Sequence, residues 1–282
     1  MFTELMTSLT GNNIGLGLAQ AAAAIALSLA VVLLARRFDV HAERETVLSL
    51  VRGLVQMALV GVILALLLQG SLLVGVLILL GMTVAAAATA SRRAKGTPDA
   101  LLLSFYAIAA GSSIVIAAML ATGVLNANIA TLVPLGSMII ANAMNACAQS
   151  MERFRAEVGA HVGQVEAGLA LGAEPAVAVA PYVQSAVYAS LLPRLDMLKS
   201  LGLVWIPGVM AGMVVSGASP LYAAIYQFII VAMILAASGI AGLVVTLLMR
   251  MRAFSPASQL TLRPGERQQG PDRLAKRMPS PA

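Results

Sequence analysis

Charge is missing from four long stretches of this sequence, and no other feature constrains the fold as strongly. There are 31 uncharged residues between Glu4 and Arg36, 39 between Arg52 and Arg92, 52 between Asp99 and Glu152, and 50 between Lys199 and Arg250. A helix needs about 20 apolar residues to cross the roughly 30 Å core of a bilayer. Even the shortest of the last three runs would make a single helix of about 58 Å. Each of those three must fold back once. Turn-forming residues sit at their middles: Gln69-Gly70-Ser71, Thr122-Gly123 to Asn128, and Ser216-Gly217-Ala218-Ser219-Pro220. One span plus three hairpins predicts an all-α polytopic membrane protein of seven spans, at about 14–35, 50–68, 72–90, 101–121, 129–148, 197–215 and 221–249.

Composition agrees. Of 282 residues, 60% are hydrophobic and 11% charged, against about 25% charged in soluble domains. An ordinary soluble enzyme and a disordered chain are both excluded. The formal net charge of +6 lies in blocks rather than on one basic face, so no nucleic-acid partner is expected. One cysteine, Cys147, and two histidines, His41 and His161, leave no disulfide framework and no Cys/His zinc site.

All 18 Lys and Arg fall in the blocks 36–52, 92–99, 152–199 and 250–282, which seven spans place on one side. The positive-inside rule makes that side cytoplasmic, with the N-terminus outside and the C-terminus inside. The first run has no Lys or Arg before Arg36 and exceeds the h-region length of a signal peptide, so it reads as a retained span. Residues 253–282, with five basic and two acidic residues among Pro, Gln and Ser, read as a disordered, solvated cytoplasmic tail.

One cytoplasmic loop, 150–195, dwarfs the others. Met151, Phe154, Val158, Val162, Val165 and Leu169 are spaced by three or four residues and form one helical face. Gly172 suits a helix C-cap and Pro175 the first turn of the next helix, which carries Val179, Val183, Val187 and Leu191 on one face. The loop is therefore a helix, an elbow and a helix. As geometry alone, that is also what a peripheral helix pair resting on the membrane would look like.

Glu166-Ala167-Gly168-Leu169-Ala170-Leu171-Gly172-Ala173 resembles the EAA loop of ABC-transporter permeases, with Gly168 in place of the second Ala. The resemblance implies that Glu166, Ala167, Gly168, Gly172 and Glu174 dock on an ATPase subunit. Small residues allow close approach of a partner backbone.

If the chain is a transporter, a separate ATPase is the most economical source of energy. No ionisable residue is expected well inside a span, where proton-coupled carriers keep one. Lys95, Lys199 and Lys276 close no Gly-x-x-x-x-Gly-Lys-Ser/Thr loop, so the chain is not expected to hydrolyse ATP itself. The alternative is a secondary carrier or channel with a merely peripheral loop.

Longer segments carry a second resemblance. Pro134-Leu135-Gly136-Ser137-Met138-Ile139-Ile140-Ala141-Asn142-Ala143-Met144-Asn145 is similar to the fifth-span signature of the FetB family of ABC-transporter permeases. Gly202-Leu203-Val204-Trp205-Ile206-Pro207-Gly208-Val209-Met210-Ala211-Gly212 is similar to its Pro-Gly-Met segment. Tyr226-Gln227 and Arg52-Gly53-Leu54-Val55-Gln56 also fit, while Trp205 and Ala211 depart from the pattern. The resemblance implies a multi-pass permease of the bacterial inner membrane, paired as a homodimer with a cognate cytoplasmic ATPase. It binds no cofactor of its own, and ATP is hydrolysed by the partner. Bacterial members are associated with iron export, and plant relatives with aluminium tolerance.

Within the spans, Met138, Asn142 and Asn145 share one helical face, where amide oxygen and thioether sulphur suit passage of a metal ion or small chelate. Interhelical hydrogen bonding by Asn and gap filling by Met explain the same residues without a ligand. Pro207-Gly208 inside the sixth span predicts a kink that frees the Leu203 carbonyl. Gly208 through Met210 to Gly212 is a GxxxG packing pattern. Tyr226 and Gln227 enter the seventh span from the outer side, placed to line an exit or to hydrogen-bond a neighbour.

Overall fold

The computed structural model describes residues 12–38, 43–67, 71–94, 97, 99–255 and 259–261. The described residues are helical, without a β-strand. The chain divides into two compact units, Met1–Gln69 and Gly70–Ala282.

The first unit contains α1 (Asn12–Arg36) and α2 (Glu43–Leu67). Arg36 pairs with Glu43 at 3.4 Å across the connection. Leu27, Val31, Leu33 and Leu34 of α1, and Val51, Val55 and Leu59 of α2, are exposed. Apolar surface of this extent is what lipid covers.

The second unit contains α3 (Leu72–Arg93), α4 (Ala100–Ala121), α5 (Ile129–Ala160), α6 (Val162–Ala170), α7 (Pro175–Ala178), α8 (Ala180–Ser200), α9 (Gly208–Val215) and α10 (Pro220–Arg252). Four of these, α3, α4, α5 and α10, are long and apolar enough to cross a membrane, and α1 adds a shorter apolar stretch at Ala19–Leu34.

Helices approach closely in this unit because glycine sits at the crossings. A Cβ on Gly111 of α4 would lie 2.7 Å from the Ala237 carbonyl oxygen of α10. One on Gly136 of α5 would meet Leu79 of α3 at 2.9 Å. One on Gly242 of α10 would meet Ser190 Oγ of α8 at 2.8 Å and Ser150 Oγ of α5 at 2.9 Å. In lipid, where no hydrophobic force drives helix against helix, such close packing holds a bundle together. The core between these crossings includes Ile108, Met119, Ile139, Met151, Phe154, Ile230 and Ile234. Arg252 at the end of α10 pairs with Asp99 at the start of α4.

Three features depart from the sequence-based expectation. The stretch expected as a sixth span, 197–215, is not one helix. α8 ends at Ser200, residues 201–207 form a turn, and α9 has only 8 residues. Gly202 adopts φ +77°, and the Ser200 carbonyl accepts from the N–H groups of Leu203, Val204 and Trp205. Pro207 precedes α9 rather than kinking a continuous helix, and Leu203 is 87% exposed in the turn. With a left-handed glycine at one end and a proline at the other, the helix has no way to continue.

The second departure is at the expected tail, whose first residues fold back on the bundle. Ser255 N–H donates to the Gln259 carbonyl and Thr261 N–H to that of Ala253, each at 2.8 Å, while Ala253 and Leu260 are buried. The rest of that tail, like residues 1–11, lies outside the described residues. The third is that the first helix of the large loop continues α5 without interruption as far as Ala160. It breaks at His161 into α6.

Candidate translocation pathway and coupling elbow

The elbow forms where glycine and proline predict it. α6 ends in a Schellman turn: Gly172, at φ +88°, donates to the Leu169 carbonyl, and Ala173 donates to that of Gly168, both at 3.0 Å. Glu174 caps the next helix and Pro175 occupies its first turn. Glu166, Ala167, Gly172 and Glu174 are exposed, and Gly168 is half-buried beside Ala178. Leu171, at the apex, is 90% exposed, and Val177 follows it on the surface. The elbow is thus an apolar apex between two carboxylates, on a backbone fixed by two hydrogen bonds.

Sequence reasoning missed what holds the elbow to the bundle. Glu157 of α5 accepts from Ser185 of α8 at 3.1 Å and pairs with Arg153 at 2.8 Å. His161, at the joint, stacks on Tyr182 with ring centroids 5.2 Å apart, and the Tyr182 hydroxyl donates to Gln164 Oε1 at 3.1 Å. The apolar spacing 151–169 reads through this joint without a break, so only the lone His161 marked it.

The embedded candidates fall into two groups. On α5, Met138, Asn142 and Asn145 are half-buried. Asn142 Nδ2 turns back to donate to the Met138 carbonyl at 2.9 Å. The Asn142 carbonyl in turn accepts from Arg194 Nη2 of α8 at 3.3 Å and lies 3.5 Å from Ser238 Oγ of α10. Arg194 is 8% exposed, and its Nε has no partner. Arg194 lies on α8, outside the four helices long and apolar enough to cross a membrane, yet packs against one of them. Counted along the sequence, Arg194 belongs to a surface loop; packed, it reaches the middle of the apolar part of α5. A lone charge in the 150–195 segment gave no signal, because its depth depends on how α8 folds back.

The second group lies about 16 Å along α10 from Ser238. There the Tyr226 hydroxyl donates to the Val124 carbonyl at 3.1 Å, tying α10 to the α4–α5 connection, and Tyr222 stacks on Tyr226. Gln227 is buried and its Oε1 has no partner. In the broken segment, Leu203 and Gly208 are exposed, Met210 is half-buried and Pro207 is buried.

An open recess of about 390 Å³ lies along the α5–α8 contact, lined by Gln149, Glu152, Arg153, Ala156, Ala189 and Pro193. Gln149 Oε1 is buried without a partner nearby. A second, apolar groove of about 260 Å³ lies among α3, α4 and α5, where Thr83 and Ser112 turn their hydroxyls to their own helices' carbonyls. Among the described residues, no group of three or more His, Cys, Asp or Glu comes together to hold a metal. The oxygen donors near these cavities are amides, hydroxyls, backbone carbonyls and the single carboxylate of Glu152.

Apolar helices long enough to cross a bilayer, closed by glycine contacts and holding buried polar groups, define a polytopic helical membrane protein. The model of the Uncharacterised protein family (UPF0014) matches residues 18–254, and the chain belongs to that family. It is 32% identical over 219 residues to the UPF0014 membrane protein STAR2 of Oryza sativa subsp. japonica, covering 77% of each chain. It is 31% identical over 233 residues to the protein ALUMINUM SENSITIVE 3 of Arabidopsis thaliana, covering 81% of this chain and 84% of that one. It is 27% identical over 232 residues to the probable iron export permease protein FetB of Escherichia coli (strain K12), covering 82% and 90%. No solved structure matches.

Proposed function

We propose that this chain is the membrane permease subunit of an ATP-driven transporter that exports iron, or another metal ion or its small complex, across the bacterial inner membrane. A similar chain described as a probable iron export permease supports the cargo class. The exposed elbow carries the rest of the reading: a surface corner with an apolar apex at Leu171 has the form a docking ATPase needs. In this reading the chain crosses the membrane seven times with its N-terminus outside, and α8, the turn and α9 together make the sixth crossing. Two copies form the permease, and two cytoplasmic ATPase subunits hold the two elbows. Closure of the ATPases around ATP moves α6 and, through Glu157 and His161, α5 and α8.

The test is co-purification with a candidate cognate ABC ATPase, using Leu171→Asp. That residue touches little of its own chain, so folding is preserved. Loss of ATPase association and of metal export is the expected result; full association and export in the variant would overturn the reading.

Arg194 favours one other reading, a secondary carrier, because buried charges in a bundle often serve ion-coupled transport. Transport that persists after ATP is withdrawn would select it.

A further inference from the structure

The outward face of α8 is polar where its surroundings are apolar. Gln184, Tyr188, Leu192, Asp196 and Lys199 are exposed and follow one another at three or four residues, forming one stripe. The opposite face, with Val183, Ala186, Ser190 and Arg194, is buried. Asp196 and Lys199 pair at 3.3 Å with side chains 68% and 74% exposed.

Contacts fix the depth of this stripe. α8 runs antiparallel to α5, since Ser185 meets Glu157 and Arg194 meets Asn142. Ser190 and Ser150 flank Gly242 at one level. The nearest charges on the cytoplasmic side are Glu152 and Arg153, about 3–5 Å below that level along α5, and Arg250, about 12 Å below along α10. Lys199 is about 13 Å above it. Gln227, beside the far ends of α4 and α5, is about 22 Å above it. Asp196 and Lys199 therefore lie near mid-depth of the apolar helices around them. At that depth an exposed ion pair facing lipid is strongly disfavoured; such groups face water or protein.

We propose that the α8 stripe from Gln184 to Lys199 is the wall of a water-filled translocation path. The path presents a carboxylate and an ammonium to whatever passes at mid-depth, with the Arg194 guanidinium just behind them. A hydrated ion or a small polar chelate meets both signs of charge there. This assignment deepens the permease reading and rests on it for the word translocation. The water-filled wall itself does not.

The sole cysteine, Cys147, is buried, so single surface cysteines report cleanly. Leu192→Cys, Asp196→Cys and Lys199→Cys are compared with Val84→Cys on α3 and Ile114→Cys on α4, both exposed on apolar helices. The full chain is reconstituted in sealed vesicles with its ATPase and treated with a charged, membrane-impermeant methanethiosulfonate. The stripe cysteines are expected to react at least about tenfold faster than the two controls, and modification at position 192 is expected to block transport. Rates at 196 and 199 equal to those of the controls would overturn the proposal. Rapid labelling in a chain that moves no metal would keep the water-filled wall and defeat the permease reading instead. Because three positions are read against two controls, one misfolded variant does not decide the outcome.

Discussion

Arg194 donates to the backbone carbonyl of Asn142 at 3.3 Å, joining a helix counted as cytoplasmic in sequence to the centre of a membrane helix. With Nε unpartnered and no carboxylate paired to it among the described residues, this guanidinium contributes little to stability. Replacing a poorly compensated buried charge by an apolar side chain of similar length is often neutral or stabilising. Arg194→Met is expected to leave the thermal unfolding midpoint in detergent unchanged or raised, and to reduce transport by about tenfold or more. Arg194→Lys is expected not to restore it, because the lysine side chain is one bond shorter than the arm that carries Nη2 to the Asn142 carbonyl. A large fall in the midpoint with normal transport would show that the residue is structural.

Gly242 and Gly111 predict two different failures. Gly242→Ala forces its methyl against Ser190 Oγ and Ser150 Oγ, and overpacking of this kind costs about 1–3 kcal/mol. Removing both hydroxyls with Ser190→Ala and Ser150→Ala is expected to recover most of the loss. Gly111→Ala meets a backbone oxygen at 2.7 Å, which no side-chain change removes, so no such rescue is expected. Thermal unfolding of the single and combined variants measures both.

Position 172 tests the elbow through its backbone alone. Its φ of +88° suits glycine and is tolerated by asparagine, but not by a β-branched residue. Gly172→Asn is expected to keep ATPase association close to that of the parent chain. Gly172→Val is expected to lower it severalfold while the bundle's unfolding midpoint holds. Equal association in the two variants would mean that the shape of this turn is not what the partner reads.

Tyr226→Phe removes the hydroxyl that donates to the Val124 carbonyl. A hydrogen bond of this kind is worth about 0.5–1.5 kcal/mol net. The midpoint is expected to fall by a correspondingly small amount. Proteolysis at the α4–α5 connection is expected to quicken, since that loop loses its tie to α10.

Local rules made the helices and the elbow legible. Uncharged runs marked the apolar helices, Gly172 with Pro175 marked the corner, and the spacing from Met151 to Leu169 marked a face on which Met151, Phe154, Val158 and Val165 are buried. What escaped depends on contacts distant in sequence. The break over 201–207 reads as a kink when Pro207 is weighed alone, and becomes a turn only once Gly202 takes its left-handed conformation. Charge counting assigned Arg194, Asp196 and Lys199 to one charged block, 152–199, and gave no sign that α8 folds back along α5 to bring Arg194 to the Asn142 carbonyl. The sequence offers no partners for Glu157 and His161, and only the fold gave them Ser185 and Tyr182.

Below Pro134, α5 runs without a further proline from Leu135 to Ala160 and behaves as a stiff rod about 39 Å long. A rod of that length that rocks by about 5° at one end carries the other through about 3 Å. The carbonyl that receives Arg194 hangs from this rod, so any torque on the lower end alters the geometry around that guanidinium directly, with no flexible joint between to absorb it.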